Sequence, residues 1–229
     1  GPGGNFLALP ATRRAARMVT LDADHPDIED YVRWKVEEEQ KVVSMVVGSR
    51  LLRKAALRLE QAVVSFAGKA KASAEAFDLQ RNPALAAAVR AALREEVPVN
   101  YLYRILQLLR QGVRGLELRE YTTDWDEEAY NTVSGQSSNN SVRLTTEFMR
   151  RVVEDAEWKL AGRVDRSLSI GMRARELWDR IALTAGTCAD PGIQFHSTVN
   201  EWHTCPKGGE IRASNPCSEY MFLDDTACN

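Results

Sequence analysis

Strand-like stretches in this sequence are short, and each stands between helical runs. Arg17-Met18-Val19-Thr20-Leu21, Asn140-Ser141-Val142-Arg143-Leu144, Ile193-Gln194-Phe195 and Glu210-Ile211-Arg212-Ala213 have the alternation or branched content of strands. Single strands separated by helices predict an α/β arrangement. The helices are marked by their ends. Asp24-His25-Pro26-Asp27-Ile28 combines acids with a proline in the first turn, a helix start that should run to about Val47 with Ile28, Tyr31, Val32 and Val36 toward a core. Ser49 is placed to cap a second helix, with Leu52, Ala55, Ala56, Leu59 and Val63 on one face.

A looser stretch follows from Gly68 to Phe77. Asn82-Pro83 then opens a third helix, and a fourth from Val99 to Gln111 is closed by Gly112. A short helix is expected from Asp124 and a polar loop over Val133 to Asn140. Thr145 should cap a helix through about Trp158, with a hinge at Ala161–Ser169 and a further helix from Ala174 to Thr187. Three segments result: a strand and helix over 1–48, a mainly helical insertion over 49–130, and a third segment of strands, helices and loops over 131–229.

Charge limits the partners. A net charge of -2, with 44% hydrophobic and 27% charged residues, is ordinary for a cytoplasmic protein and gives no field for steering toward DNA or a membrane. Arginines on the helical insertion alternate with glutamates such as Glu60, Glu95 and Glu96, as on a solvated face, so nucleic acid is not an expected partner. No apolar run is long enough to span a bilayer, and the N-terminus lacks a signal-peptide core. Both ends read as abrupt, as in a piece of a longer protein.

Four cysteines in such a chain are more readily catalytic, metal-bound or buried than a disulfide framework. Cys188, between Thr187 and Ala189, reads as structural, and Cys205 has no assigned chemistry. A zinc site from His203, Cys205, Cys217 and Cys228 lacks any C-x-x-C knuckle. The chemistry concentrates in Asn215-Pro216-Cys217-Ser218-Glu219 and Asp224-Asp225-Thr226-Ala227-Cys228-Asn229. Alone, the first reads sooner as an ordinary turn with a buried thiol. On an extended loop, however, alternation by two would turn Asn215, Cys217 and Glu219 to one side.

The first stretch resembles the N-P-C-x-E motif of ribonucleotide reductases. The eleven-residue step from Cys217 to Cys228 resembles the class II, adenosylcobalamin-dependent ribonucleoside-diphosphate reductases more than the glycyl-radical class. Other stretches agree in order: Arg13-Arg14-Ala15-Ala16-Arg17-Met18, Asp24-His25-Pro26-Asp27-Ile28, Asn139-Asn140-Ser141-Val142, Ala174-Arg175-Glu176-Leu177-Trp178, Ala189-Asp190-Pro191-Gly192 and Asn200-Glu201-Trp202-His203-Thr204-Cys205-Pro206. The resemblance implies that 1–48 and 131–229 are parts of a ten-stranded α/β barrel whose central loop carries Cys217. It implies an oxidoreductase that converts ribonucleotides, as di- or triphosphates, to deoxyribonucleotides for DNA synthesis and repair.

In that scheme a Cys217 thiyl radical takes the 3'-hydrogen, Glu219 acts as general base on the 3'-hydroxyl and Asn215 orients the ribose hydroxyls. Cys228 is one thiol of a redox pair whose partner is absent from the chain. Gln136, Ser137, Ser138 and Asn139 occupy the place of a loop relaying a deoxynucleotide effector to the substrate base. Adenosylcobalamin is the implied cofactor and a thioredoxin-type dithiol the implied external reductant. The implied partners are the remainder of the reductase polypeptide and, with the oligomeric state open, a second copy. The piece alone is expected to be inactive, since an incomplete barrel leaves unpaired edges. A different class of function is a helical interaction module over 49–114 with a vestigial catalytic end.

Overall fold

The computed structural model describes residues 16–67, 74–124 and 126–226. The chain divides into two compact units, Gly1–Gln40 with Val133–Asn229, and Lys41–Thr132. Strand β1 (Arg17–Asp22) leads into helix α1 (Ile28–Ala67), whose residues count with both units. The break expected near Ser49 does not occur. The Ser49 hydroxyl donates to Val46 O (2.9 Å) in its own helix and accepts from Tyr121 N (3.0 Å), so it serves the helix interior instead of capping a new one.

The helical unit adds α2 (Pro83–Arg94), α3 (Val99–Arg110) and the short α4 (Glu128–Asn131). The face foreseen on the second helix does pack: Ala55, Ala56, Leu59 and Val63 are buried against Leu85, Ala92, Leu102, Ile105 and Leu109. Asn82 ties the unit together from 1% exposure. Its Oδ1 caps α2 by accepting from Leu85 N (3.0 Å), while its Nδ2 donates to Ala62 O (3.1 Å) and Ala76 O (2.9 Å). Gly112, at φ +93°, takes the left-handed position past the end of α3.

The other unit is α/β. Strand β2 (Ser138–Leu144) is followed by α5 (Thr146–Val153), the hairpin β3 (Glu157–Ala161) and β4 (Ser169–Arg173), α6 (Ala174–Cys188), β5 (Gly192–Phe195), α7 (His196–Glu201), β6 (Ile211–Ser214) and β7 (Met221–Leu223). A parallel sheet has the order β1-β2-β5, with Leu21 opposite Val142 and Val142 opposite Ile193. Val142 and Leu144 are buried with Ile28, Val32, Phe148, Leu177 and Ile181, so α1, α5 and α6 cover that face. Tyr31 reaches from α1 to both strands: its hydroxyl donates to Val19 O (2.7 Å) and accepts from Ser141 N (2.9 Å). Burial, the dominant cause, raises the Tyr31 pKa, so the hydroxyl keeps its proton.

Three expectations are corrected here. The helix capped by Thr145, whose hydroxyl accepts from Phe148 N (3.1 Å), ends at Val153 and not at Trp158. Asp155 turns left-handed at φ +49°, and the supposed hinge at Ala161–Ser169 is the connection of an antiparallel pair, β3 with β4. The pair is held where Trp158 packs edge-on to Phe148 (5.0 Å) and donates to Ala23 O (3.0 Å). Strand β2 starts at Ser138, because Ser138 and Asn139 pair with Arg17 and Met18. Finally, β7 and α7 carried no recognised signal. The three parallel strands and two antiparallel pairs of the described residues do not by themselves make a ten-stranded barrel. Among the described residues no helix is long and apolar enough to cross a membrane.

Candidate active site

Alternation along the parallel strands sends Val142 and Leu144 to the helices, and thus Asn139, Ser141 and Arg143 to the opposite face. The register places Met18, Thr20 and Asp22 of β1 and Gly192 and Gln194 of β5 beside them. This face is polar, and the β6–β7 hairpin is fastened to it. Thr20 Oγ1 and Arg143 Nη1 both donate to Arg212 O (3.2 Å each). Gln194, 4% exposed, donates from Nε2 to Ser214 Oγ at 2.8 Å. Asn139 donates from Nδ2 to Pro216 O at 2.6 Å. At the other end Asn200 clamps β6, accepting from Ile211 N (2.9 Å) and donating to Ile211 O (3.0 Å).

Asn215 to Tyr220 closes the tip of this hairpin. Asn215 N donates to Tyr220 O (3.1 Å), Tyr220 N donates to Asn215 Oδ1 (2.9 Å), and Ser218 N donates to Asn215 O (2.9 Å). The segment is therefore a tight turn, with Ser218 left-handed at φ +62°, and not the extended loop expected. The alternation argument for one shared side does not apply to it. Asn215 is buried at the base of the turn, whereas Cys217 and Glu219 are exposed at its tip. Cys217 is a free thiol. Cys228 lies outside the described residues.

The loop before β2 is tied inward. Trp34 Nε1 donates to Ser134 Oγ (3.1 Å), Ser134 N donates to Glu38 Oε2 (2.8 Å), and Ser138 Oγ donates to Gly135 O (2.9 Å). Gly135 is required there: φ is +73°, and a Cβ would meet the Trp34 ring at 2.9 Å. Ser137 O accepts from Arg17 N (2.8 Å), and Ser138 and Asn139 belong to the strand. Gln136 is partly buried, with Nε2 lacking a protein partner. Of the four residues expected in a recognition loop, Asn139 is thus the one shown to touch the Cys217 turn.

Beneath β2, Lys35 Nζ donates to Ser138 O (2.6 Å) and pairs with Asp190 Oδ2 (3.4 Å). Burial raises the Asp190 pKa, against the opposing pull of Lys35 and of the hydrogen bond from Asn140 N. A cavity of about 230 Å3 opens at the carboxyl ends of the parallel strands, lined by residues including Asp22, Arg143, Thr145, Arg163 and His196. Such crevices are where open α/β sheets bind ligands. Thr20, Arg143, Gln194 and Ser214 were missed by sequence reasoning. Their signal was polar residues at alternate positions of strands, marking a face that is not a core.

Comparison with known proteins gives the family. Residues 7–229 match the family model described as "Ribonucleotide reductase, barrel domain". The chain is 50% identical over 218 residues to a vitamin B12-dependent ribonucleotide reductase of Bradyrhizobium diazoefficiens, covering 95% of this chain and 17% of that protein. It is 51% identical over 218 residues to the protein of the same name from Agrobacterium fabrum, with the same coverage. A Streptomyces avermitilis relative of that name is 34% identical over 226 residues, covering 99% of this chain and 16% of the relative. The chain thus spans about a sixth of the length of these relatives.

Proposed function

From the premise that the chain belongs to the ribonucleotide reductase barrel-domain family, we propose that it is the part of a vitamin B12-dependent ribonucleotide reductase that presents the radical cysteine to substrate. The observation that carries this reading is the Cys217 turn, exposed at its tip and fastened at its base to the polar face of a parallel sheet, in a chain matching the family throughout the described residues. In this reading that face is one wall of the family's ten-stranded barrel, the other strands coming from the remainder of the polypeptide.

Abstraction of an unactivated ribose hydrogen needs a radical whose bond to hydrogen matches the C–H bond in strength, and a thiyl at Cys217 meets that need. Adenosylcobalamin would supply the initiating radical when bound, and an exposed Cys217 thiol fits a group that must reach the sulfur. Glu219, exposed two residues on, takes the 3'-hydroxyl proton. Asn215 holds Tyr220 N with its carbonyl oxygen, which leaves its amide Nδ2 for the ribose hydroxyls. Cys228 belongs to the redox pair that a thioredoxin-type dithiol restores. Gln136, Ser137, Ser138 and Asn139 form the effector side of the site, with Asn139 as its link to the turn. The product supplies DNA synthesis and repair.

The test uses the full-length parent protein with adenosylcobalamin and a dithiol, following deoxyribonucleotide formation and tritium release from [3'-3H]ribonucleotide. Cys217→Ser is expected to abolish both, and the isolated 229-residue chain to show neither. Turnover surviving Cys217→Ser would sink the radical assignment.

A further inference from the structure

The peptide group that joins Pro216 to Cys217 is planar, so its carbonyl and the Cys217 N–H share one rigid plane. The hydrogen bond from Asn139 Nδ2 to Pro216 O, at 2.6 Å, therefore acts on the unit that leads directly into the Cys217 α-carbon. The bonds on β6 act further back. Thr20 and Arg143 hold Arg212 O, and Gln194 holds Ser214 Oγ, which itself donates to Asn215 O (2.9 Å) and lies 3.3 Å from Ser218 Oγ. The turn also has internal bonds, which fix its shape but not its orientation toward the sheet. Asn139 is exposed, while Ser138 and Asn140 on either side are buried, so its side chain is not needed to fill the core.

We infer that Asn139 is a positioning residue for Cys217: by fixing the Pro216 carbonyl it sets the direction in which the sulfur meets the substrate. Gln194, through Ser214, fixes the same arm of the turn two residues further back, at the end of β6. The inference rests on the reading that Cys217 carries the radical. Hydrogen transfer is steep in distance and angle, so a turn that swings by about an ångström loses roughly 100-fold in rate without losing its fold. Asn139 does this through the backbone and not by touching substrate.

The test again uses the full-length protein with adenosylcobalamin, a dithiol and a ribonucleotide, and compares Asn139→Asp, Asn139→Leu and Cys217→Ser. An ionised aspartate has the shape of asparagine but only accepts hydrogen bonds, so it faces the Pro216 carbonyl with no proton to offer. Once protonated, it donates again. We expect Asn139→Asp and Asn139→Leu to lower kcat roughly 10- to 100-fold, with KM and the thermal midpoint unchanged. The kcat of Asn139→Asp relative to wild type should rise as pH falls through the introduced carboxyl's titration, and the ratio for Asn139→Leu should stay flat. Inactive Cys217→Ser beside wild-type kcat in both Asn139 variants would overturn the inference and leave the radical reading intact. A KM that rises in step with the loss of kcat, or a flat pH ratio for Asn139→Asp, would overturn it too, by making Asn139 a substrate contact or a structural residue. Active Cys217→Ser would overturn the radical reading and the inference together.

Discussion

The two units of this chain bury different things. The helical unit packs alanine, valine, leucine and isoleucine from α1, α2 and α3, and Asn82 is the buried polar residue found there among the described residues. The sheet-bearing unit has an apolar cluster of its own, but it also buries Ser138, Asn140, Ser141, Asp190, Gln194, Ser214 and Asn215. Removing such groups from water is unfavourable unless they are paired, and in this unit the Asn140 side-chain amide and Asp190 Oδ1 are buried without a protein partner. In this unit several of them are used to hold one turn at one place. The comparison separates a region whose buried side chains are almost all apolar from one in which buried polar side chains fasten the Cys217 turn.

The largest expected effects on stability therefore lie in the helical unit. Leu59 and Leu109 are fully buried there, and Leu59→Ala or Leu109→Ala should each lower unfolding free energy by about 2–5 kcal/mol. Asn82→Ala comes next, at roughly 2–3 kcal/mol, because it removes a helix cap and leaves two buried carbonyls without their donor. Urea unfolding followed by helical circular dichroism checks both. A loss under about 0.5 kcal/mol for Asn82→Ala would break the comparison, since the one polar side chain buried among the described residues of this unit would then be dispensable.

These residues also show what the sequence made legible. Asn82 and Thr145 were found as caps because capping is local chemistry between a side chain and an amide two or three residues on. Ser49 carried the same local signal and failed, because its hydroxyl is met by Tyr121, 72 residues away. The β3–β4 hairpin was lost for the same reason. Asp155-Ala156-Glu157-Trp158 has no strong strand preference, and the pairing is secured by contacts of Trp158 with Phe148 and Ala23. At the candidate site the motif residues were legible as chemistry, but not their geometry. The left-handed Ser218 that converts an extended loop into a turn has no mark in a serine, and nothing in Gln194 names Ser214 as its partner.

Gln194→Leu sharpens the contrast from the other side. It keeps most of the side-chain volume and removes the donor to Ser214 Oγ, so the expected stability loss is about 1 kcal/mol, well below that of the leucine deletions. Its effect on turnover in the full-length protein should be larger, approaching that of a misplaced turn at roughly 10-fold or more. Wild-type turnover together with a large fall in stability would place Gln194 with the core-forming residues and blur the line between the two regions.

The smallest expected effect is a pH slope carried by Asp190. Its pKa is raised in the folded state chiefly by burial, with Lys35 pulling the other way. A carboxyl with a raised folded pKa binds its proton more tightly when folded than when unfolded, where the ordinary value is about 4. It therefore favours folding most at pH below that ordinary value, and the contribution is lost as pH rises from there through the raised folded value. Asp190→Asn removes the titration while keeping a polar group against Asn140 N, so it should flatten the slope of stability against pH in that window. The helical unit's Glu95 runs in the opposite direction, because the hydrogen bonds of Lys54 and Arg58 lower its pKa. Stability owed to that carboxylate is present above its ordinary range and lost as pH falls through the lowered value. Glu95→Gln should therefore change the acid limb of the profile and leave the Asp190 window untouched. Unfolding curves collected across both windows resolve the two carboxyls, and an Asp190→Asn profile that matches wild type would mean that the sheet-bearing unit does not hold this buried charge at a cost.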